Sequence, residues 1–316
     1  MRRNDFDVTD KIRTTDPSEV VHEVMRLYLG LYPSGKSGPM RRAFEDVTLL
    51  YRGRHPDYYP CDTEYHDIQH VLDVTLAMAR LLDGYERGRR GEAALPADFF
   101  SLGVITALFH DCGYLRRRHD HRHRFGGEYT LTHVSRGSHF LREYLPHIGM
   151  KRYAAAAAQL VHFTGYERQP DTIRLSDPLL RRVGEILGTA DIIAQMSDRC
   201  YLEKCRDRLY PEFVLGGLAR RKLPDGQTVT VYESGNDLVR KTPGFYATAS
   251  KRLDQQLHGA YHYAEKHFGS QRNPYLEQMD KNINYAEVMA EVMTDSSPGG
   301  LLRRCPPKTV QSDLRP

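Results

Sequence analysis

The sequence predicts an all-α protein, a helical bundle carrying one short inserted β-hairpin. Three observations carry this. Apolar residues recur at helical spacing along most of the chain, Gly, Pro or charged breaks separate these segments, and only one stretch alternates like a strand.

Taken in order, residues 1–17 are polar and without periodicity, and are expected to be flexible. Asp16-Pro17-Ser18 before EVVHEVMRLYLGLY supplies a helix start and an apolar face. Further helices are expected over about 39–51, 65–83, 96–111, 127–145, 150–163, 177–195, 198–210, 243–268 and 274–294. Pro96 and Pro178 stand where a first turn tolerates a missing N–H, and Asp177 is placed as an N-cap. In KLPDGQTVTVYES, Asp225-Gly226 makes a hairpin turn while Val229 and Val231 alternate with polar residues, a ribbon inserted at about 220–233. Residues 295–316 carry prolines, glycines and no helical stripe, and are expected to form a disordered tail. Residues 18–294 therefore read as one helical catalytic domain.

With 316 residues, 40% hydrophobic and 27% charged, the chain is neither collagen-like nor wholly disordered. A domain of this size buries roughly three quarters of its unfolded surface, so a metal is not needed simply to fold it. The balance of 45 basic against 41 acidic residues gives +4, too even to indicate a nucleic-acid or membrane partner. Five cysteines without CxxC spacing suggest neither a disulfide framework nor a thiolate zinc site. Reduced thiols and the lack of a leader or a membrane-length apolar run lead to the expectation of a soluble, cytoplasmic protein.

Fifteen histidines are the unusual feature. His66 and His70, four apart in YHDIQHVLDV, fall on one face near the start of an amphipathic helix, where they either serve one site or are two partly exposed histidines. His110-Asp111 ends the apolar run SLGVITALF, so two polar side chains arrive at the edge of the core and need partners. Asp191 interrupts the apolar stretch GEILGTADIIAQM and must likewise meet a cation or hydrogen-bond donors, Arg199 among them. His133 and His162 lie on separate helices among apolar neighbours, and either alone reads as well as a satisfied core histidine.

In order, His70, His110-Asp111, His133, His162 and Asp191 resemble the ligand set of the HD-domain superfamily of metal-dependent phosphohydrolases. His133, His162 and Asp191 follow at intervals of 29 residues, and His133 opens the HxxxG pattern seen in HD-GYP-type proteins. The segment YHDIQHVLDV is similar to the YHNxxHAxDV signature of class I cyclic nucleotide phosphodiesterases, a resemblance carried over about residues 65–145. It implies that His70, His110, Asp111 and Asp191 bind one metal, that His133 and His162 help to bind a second with Asp111 bridging, and that His66 is the general acid. One departure is visible: those phosphodiesterases read HDxxHxG, whereas this chain has Tyr114 at the position of the extra histidine.

Imidazole and carboxylate ligands without thiolate suit zinc, iron or manganese, with magnesium admissible at a second site. Such ions acidify water and hold phosphoryl oxygens, so the expected chemistry is hydrolysis of a small-molecule phosphoester, foremost a cyclic nucleotide phosphodiester, by a metal-activated hydroxide. The catalytic residues implied are His66 and Asp111. Two alternatives share the pattern: a di-iron oxygenase resembling inositol oxygenase, and a non-catalytic nucleotide-binding HD sensor. The tract LRRRHDHRHRFGG reads either as a solvated basic loop or as an active-site rim in which Arg116, Arg117 and Arg118 bind phosphate. In SDRCYLEKCRDRLYPEF the charges look like a surface-pairing face, with Asp198 and Arg199 available to support the site.

Overall fold

The molecule is organised around one long helix whose residues from Ile68 to Tyr85 are almost all buried. The computed structural model describes residues 2–223 and 225–292. In chain order the elements are α1 (Pro17–Leu31), α2 (Gly38–Tyr51), α3 (Ile68–Gly88), α4 (Ala97–Phe109), α5 (His133–His147), α6 (Ala154–Leu160), α7 (Pro178–Met196), α8 (Tyr201–Lys204), α9 (Tyr210–Leu215), β1 (Arg220–Lys222), β2 (Thr228–Thr230), α10 (Gly235–Lys251), α11 (Tyr263–Phe268) and α12 (Pro274–Val292). The all-α expectation holds.

Helix α3 is the central element and packs against α1, α4, α7 and α11. Helix α4 has no polar face after its first turn, every residue from Phe99 to Phe109 being buried, as expected of a helix surrounded by others. Helices α1 and α7 start as the sequence indicates: Asp16 and Asp177 each accept a backbone N–H two residues on, with proline in the first turn. No described helix is long and apolar enough to cross a membrane.

The hairpin also forms, with Arg220 opposite Thr230 and Lys222 opposite Thr228. Asp225 accepts the Gln227 amide at 2.9 Å and Gly226 takes φ +85°, the left-handed geometry that the turn requires.

Several expectations are corrected. Helix α3 begins after His66, because the Asp67 side chain caps the His70 amide at 3.0 Å. The helix expected from 127 starts at His133, after a separate 3₁₀ turn at Gly126–Tyr129. The single helix expected over 243–268 is divided, since a π-helical turn at Arg252–Gln256 leads to His258 and Gly259, both with positive φ, before α11. The N-terminal segment, expected to be flexible, is packed: Asp7 forms a buried 2.6 Å ion pair with Arg80 of α3, and Arg2 bonds the Ser197 carbonyl just beyond α7. The tail expected over 295–316 lies outside the described residues.

Candidate metal centre and its cavity

Three elements bring the polar groups together. His70 lies in the first turn of α3, His110 and Asp111 follow the end of α4, and Asp191 lies on α7. Nε2 of His70 and Nε2 of His110 are 3.3 Å apart. Asp191 Oδ1 is 3.5 Å from the first and 3.9 Å from the second. The three groups thus offer ligand atoms all within 4.8 Å of one another.

Asp111 completes this cluster. Its Oδ2 lies 3.2 Å from His70 Nε2 and 3.1 Å from His110 Nε2, yet it is buried without a hydrogen-bond partner. A buried acceptor in that condition is costly unless a cation meets it. The donor set therefore fits a divalent transition metal, with imidazole nitrogens and carboxylate oxygens converging on one point.

The second nitrogens explain why the rings point inward. His110 Nδ1 faces the Ala107 carbonyl at 2.7 Å and His133 Nδ1 faces the Thr130 carbonyl at 2.7 Å. A nitrogen against a carbonyl carries the proton, which leaves Nε2 as the free lone pair. His133 Nε2 lies 3.7 Å from Asp111 Oδ1, on the oxygen that the first cluster does not use. Gly113 makes this approach possible, since a Cβ there would stand 1.8 Å from the His133 carbonyl oxygen.

Charge follows the geometry. Burial alone would push the Asp111 carboxyl up, but the surrounding imidazoles, His110 first, hold it well below the usual carboxylate range. Burial works against a charged His110, and the adjacent Asp111 overcomes it, raising that imidazole to about 9. The proton that Asp111 holds on His110 stands where a cation would sit, and metal binding would release it from Nε2.

His66 stands beside the cluster, its ring 5.7 Å from that of His70 and stacked on Tyr114 at 4.4 Å. Its Nδ1 meets Glu212 Oε2 at 2.5 Å, while Glu212 Oε1 accepts the Tyr65 amide at 2.6 Å. Burial disfavours the charged ring, but the Glu212 carboxylate outweighs it and leaves the imidazole raised. Glu212, on α9, is the site neighbour that sequence reading missed: it lies 146 positions from His66, at the end of a run of mixed charge.

A cavity of about 440 Å³ opens next to this group. His66, Tyr114, His133, Glu167 and Gln195 line its polar end, whereas Tyr166, Phe213, Tyr232, Leu238 and Phe245 form an apolar wall. Cys205, given no role from sequence, also borders it. The arrangement can hold a polar group at the histidine end and an apolar or aromatic moiety against the wall.

His162 is buried with Nδ1 against Glu167 Oε1 at 2.7 Å, and it lies outside the group formed by His70, His110 and Asp191. One expected placement is not found. Arg116, Arg117 and Arg118 do not line the cavity. Arg116 and Arg118 stack on Tyr59, Arg117 lies over Tyr58 and approaches Glu143 at 3.5 Å, and the backbone of Arg117 bridges to Tyr58. That pairing draws the tract away from the cavity. Asp198 supports the site at a distance: it holds Lys204 Nζ at 2.5 Å, and Lys204 reaches Gln69, the neighbour of His70, at 3.3 Å.

The fold is similar to that of two solved phosphodiesterase domains. Both structures are of the phosphodiesterase domain of the rhodopsin phosphodiesterase from the choanoflagellate Salpingoeca rosetta. Each aligns over 92% of this chain with a TM-score of 0.54, at 14% and 17% identity, covering 95% and 92% of the respective domain. No protein-family profile matches the chain, and no curated protein matches it.

Proposed function

We propose that the protein is a metal-dependent phosphodiesterase of the HD type that hydrolyses a small-molecule phosphodiester, cyclic nucleotides being the first class to test. The observation that carries this reading is the buried, unbonded Asp111 Oδ2 set between two imidazole nitrogens, directly beside a histidine that faces a cavity. His70, His110, Asp111 and Asp191 would hold zinc, iron or manganese, and His133 adjoins the other Asp111 oxygen. When bound, the ion supplies the positive charge that acidifies water and neutralises phosphoryl oxygens. The remaining work falls to the chain.

His66 gives its Nε2 proton to the leaving oxygen as the phosphorus–oxygen bond breaks, while Glu212 keeps the ring oriented through Nδ1. The apolar wall of Tyr166, Tyr232 and Phe245 holds the organic part of the substrate and excludes water. Support comes from the ligand geometry and from the His66–Glu212 pair, since a leaving-group acid has a purpose in hydrolysis. The test is metal analysis of the purified chain together with turnover of a phosphodiester panel in manganese, iron or zinc, with oxygen uptake followed in parallel. Diester hydrolysis without oxygen uptake is expected. No hydrolysis with any of the three metals would overturn the proposal.

A further inference from the structure

Ten large apolar side chains are exposed among the described residues, and five of them lie at the mouth of the cavity or beside it. Leu131, Tyr166 and Phe245 form its lip, with Leu131 69% exposed. Val214 and Leu215 continue the surface: Leu215 packs against Gly127, and Val214 borders a groove that shares Tyr232 with the cavity. Phe125, two residues before Gly127, and Val229, on the hairpin, are exposed on the neighbouring segments. Soluble proteins scatter such residues; a contiguous patch marks a contact surface.

Five cations on the segments next to this patch are free, and Glu233 is the acidic residue lining the groove beside Val214. Arg220, Arg221 and Lys222 project from β1, and that strand's first residue lines the same groove as Val214. Arg122 and Arg124 precede Phe125 and are exposed. Among the described residues none of these five side chains has a carboxylate partner, whereas Asp120 and Glu128 nearby are bonded to His123, Tyr129 and backbone amides. Apolar side chains at the level of unpaired cations are complementary to one kind of surface, a bilayer with anionic headgroups over hydrocarbon.

We propose that the cavity mouth docks on an anionic phospholipid surface. Docking is peripheral, in keeping with the absence of a membrane-crossing helix among the described residues. The apolar lip enters the headgroup boundary, and the β1 cations meet the lipid phosphates. It would bring the cavity to face the membrane.

Vesicle co-sedimentation of the full chain tests this without any turnover, so it fails or stands apart from the hydrolytic reading. Phosphatidylcholine vesicles are compared with vesicles in which about a third of the lipid is phosphatidylserine. Binding to the anionic vesicles alone, with release at high salt, is expected. Each cation is worth roughly fivefold in partitioning, so R220Q/R221Q/K222Q should lower binding about a hundredfold. Phe125→Ser with Val214→Ser should weaken it independently, with circular dichroism and melting temperature reporting that the fold persists. No binding to anionic vesicles at low salt, or binding indifferent to both variants, would overturn the proposal. So would concentration-dependent self-association removed by the Phe125 and Val214 substitutions, because a second copy would then be what covers the face.

Discussion

Glu212→Gln is expected to slow hydrolysis without removing metal. Both carboxylate oxygens are in use, Oε2 at 2.5 Å from His66 Nδ1 and Oε1 at 2.6 Å from the Tyr65 amide. Both partners are donors. A carboxamide has one accepting and one donating end, so it can satisfy only one of them. The unsatisfied group, buried with Glu212, costs about 1–3 kcal/mol. If the loss falls on His66, the ring is no longer held with Nε2 toward the cavity, and a penalty of that size corresponds to about 10–100-fold in rate. The effect must depend on the leaving group. An alkoxide needs a proton from His66, whereas p-nitrophenolate departs without one. Turnover of a diester with an alkyl leaving group should therefore fall about 10–100-fold, and turnover of bis(p-nitrophenyl) phosphate should change by less than about threefold. His66→Asn should reproduce the same split with a larger loss, about 10²–10⁴-fold on the alkyl diester. Metal content, measured by inductively coupled plasma spectrometry, should stay at the wild-type level in both. Equal losses on the two substrates, or metal lost together with activity, would refute the reasoning.

Asp111→Ala removes the carboxylate shared by the two imidazoles and His133, so metal content and hydrolysis should both fall to background; full occupancy would contradict the ligand assignment. Gly113→Ala places a methyl 1.8 Å from the His133 carbonyl oxygen. It should cost about 1–3 kcal/mol in chemical denaturation and weaken metal binding in a competition assay as α5 shifts. Asp7→Asn leaves Arg80 buried without its anion and should destabilise by about 3–5 kcal/mol, read by urea titration. In the wild type, burial raises the Asp7 carboxyl, but Arg80 and local amides prevail and lower it from 3.8 to about 2. Because the folded value is depressed, this stabilisation, roughly 2 kcal/mol, is present above pH 4 and is lost as pH falls through about 2. Equal acid sensitivity in wild type and Asp7→Asn would exclude this contribution.

The clustered ligands were legible because buried polar residues in apolar helices must find partners, and the sequence shows where they interrupt the stripe. His70, His110, Asp111 and Asp191 each do so, and the structure brings them together. Arg80 carried the same signal and was overlooked: it lies within the apolar helix LAMARLL, and its buried charge required the Asp7 that sequence reading assigned to a flexible end. Glu212 could not be found in this way. It follows a charged run but stands between Pro211 and Phe213, its burial arises from contacts with Tyr65 and His66 far away in sequence, and no local pattern names those partners. The arginine tract misled for the opposite reason. Being two residues beyond Gly113 sets its distance from the site but not its direction, and pairing with Tyr58 turns it outward.

Tyr114 shows how a departure from a motif becomes part of the site's construction. A histidine there would add another polar nitrogen near Asp111. The phenol ring instead stacks on His66 at 4.4 Å and on His133 at 4.3 Å, both at 17°, so the two imidazoles share one apolar support with centroids 6.3 Å apart. Stacking constrains a ring's plane, and the bonds from Nδ1 to Glu212 and to the Thr130 carbonyl constrain its rotation within that plane. Together they fix where each Nε2 points. His66, the proposed proton donor, and the His133 nitrogen next to Asp111 Oδ1 are thus held by the protein itself, which is the condition for an acid to act without reorganisation.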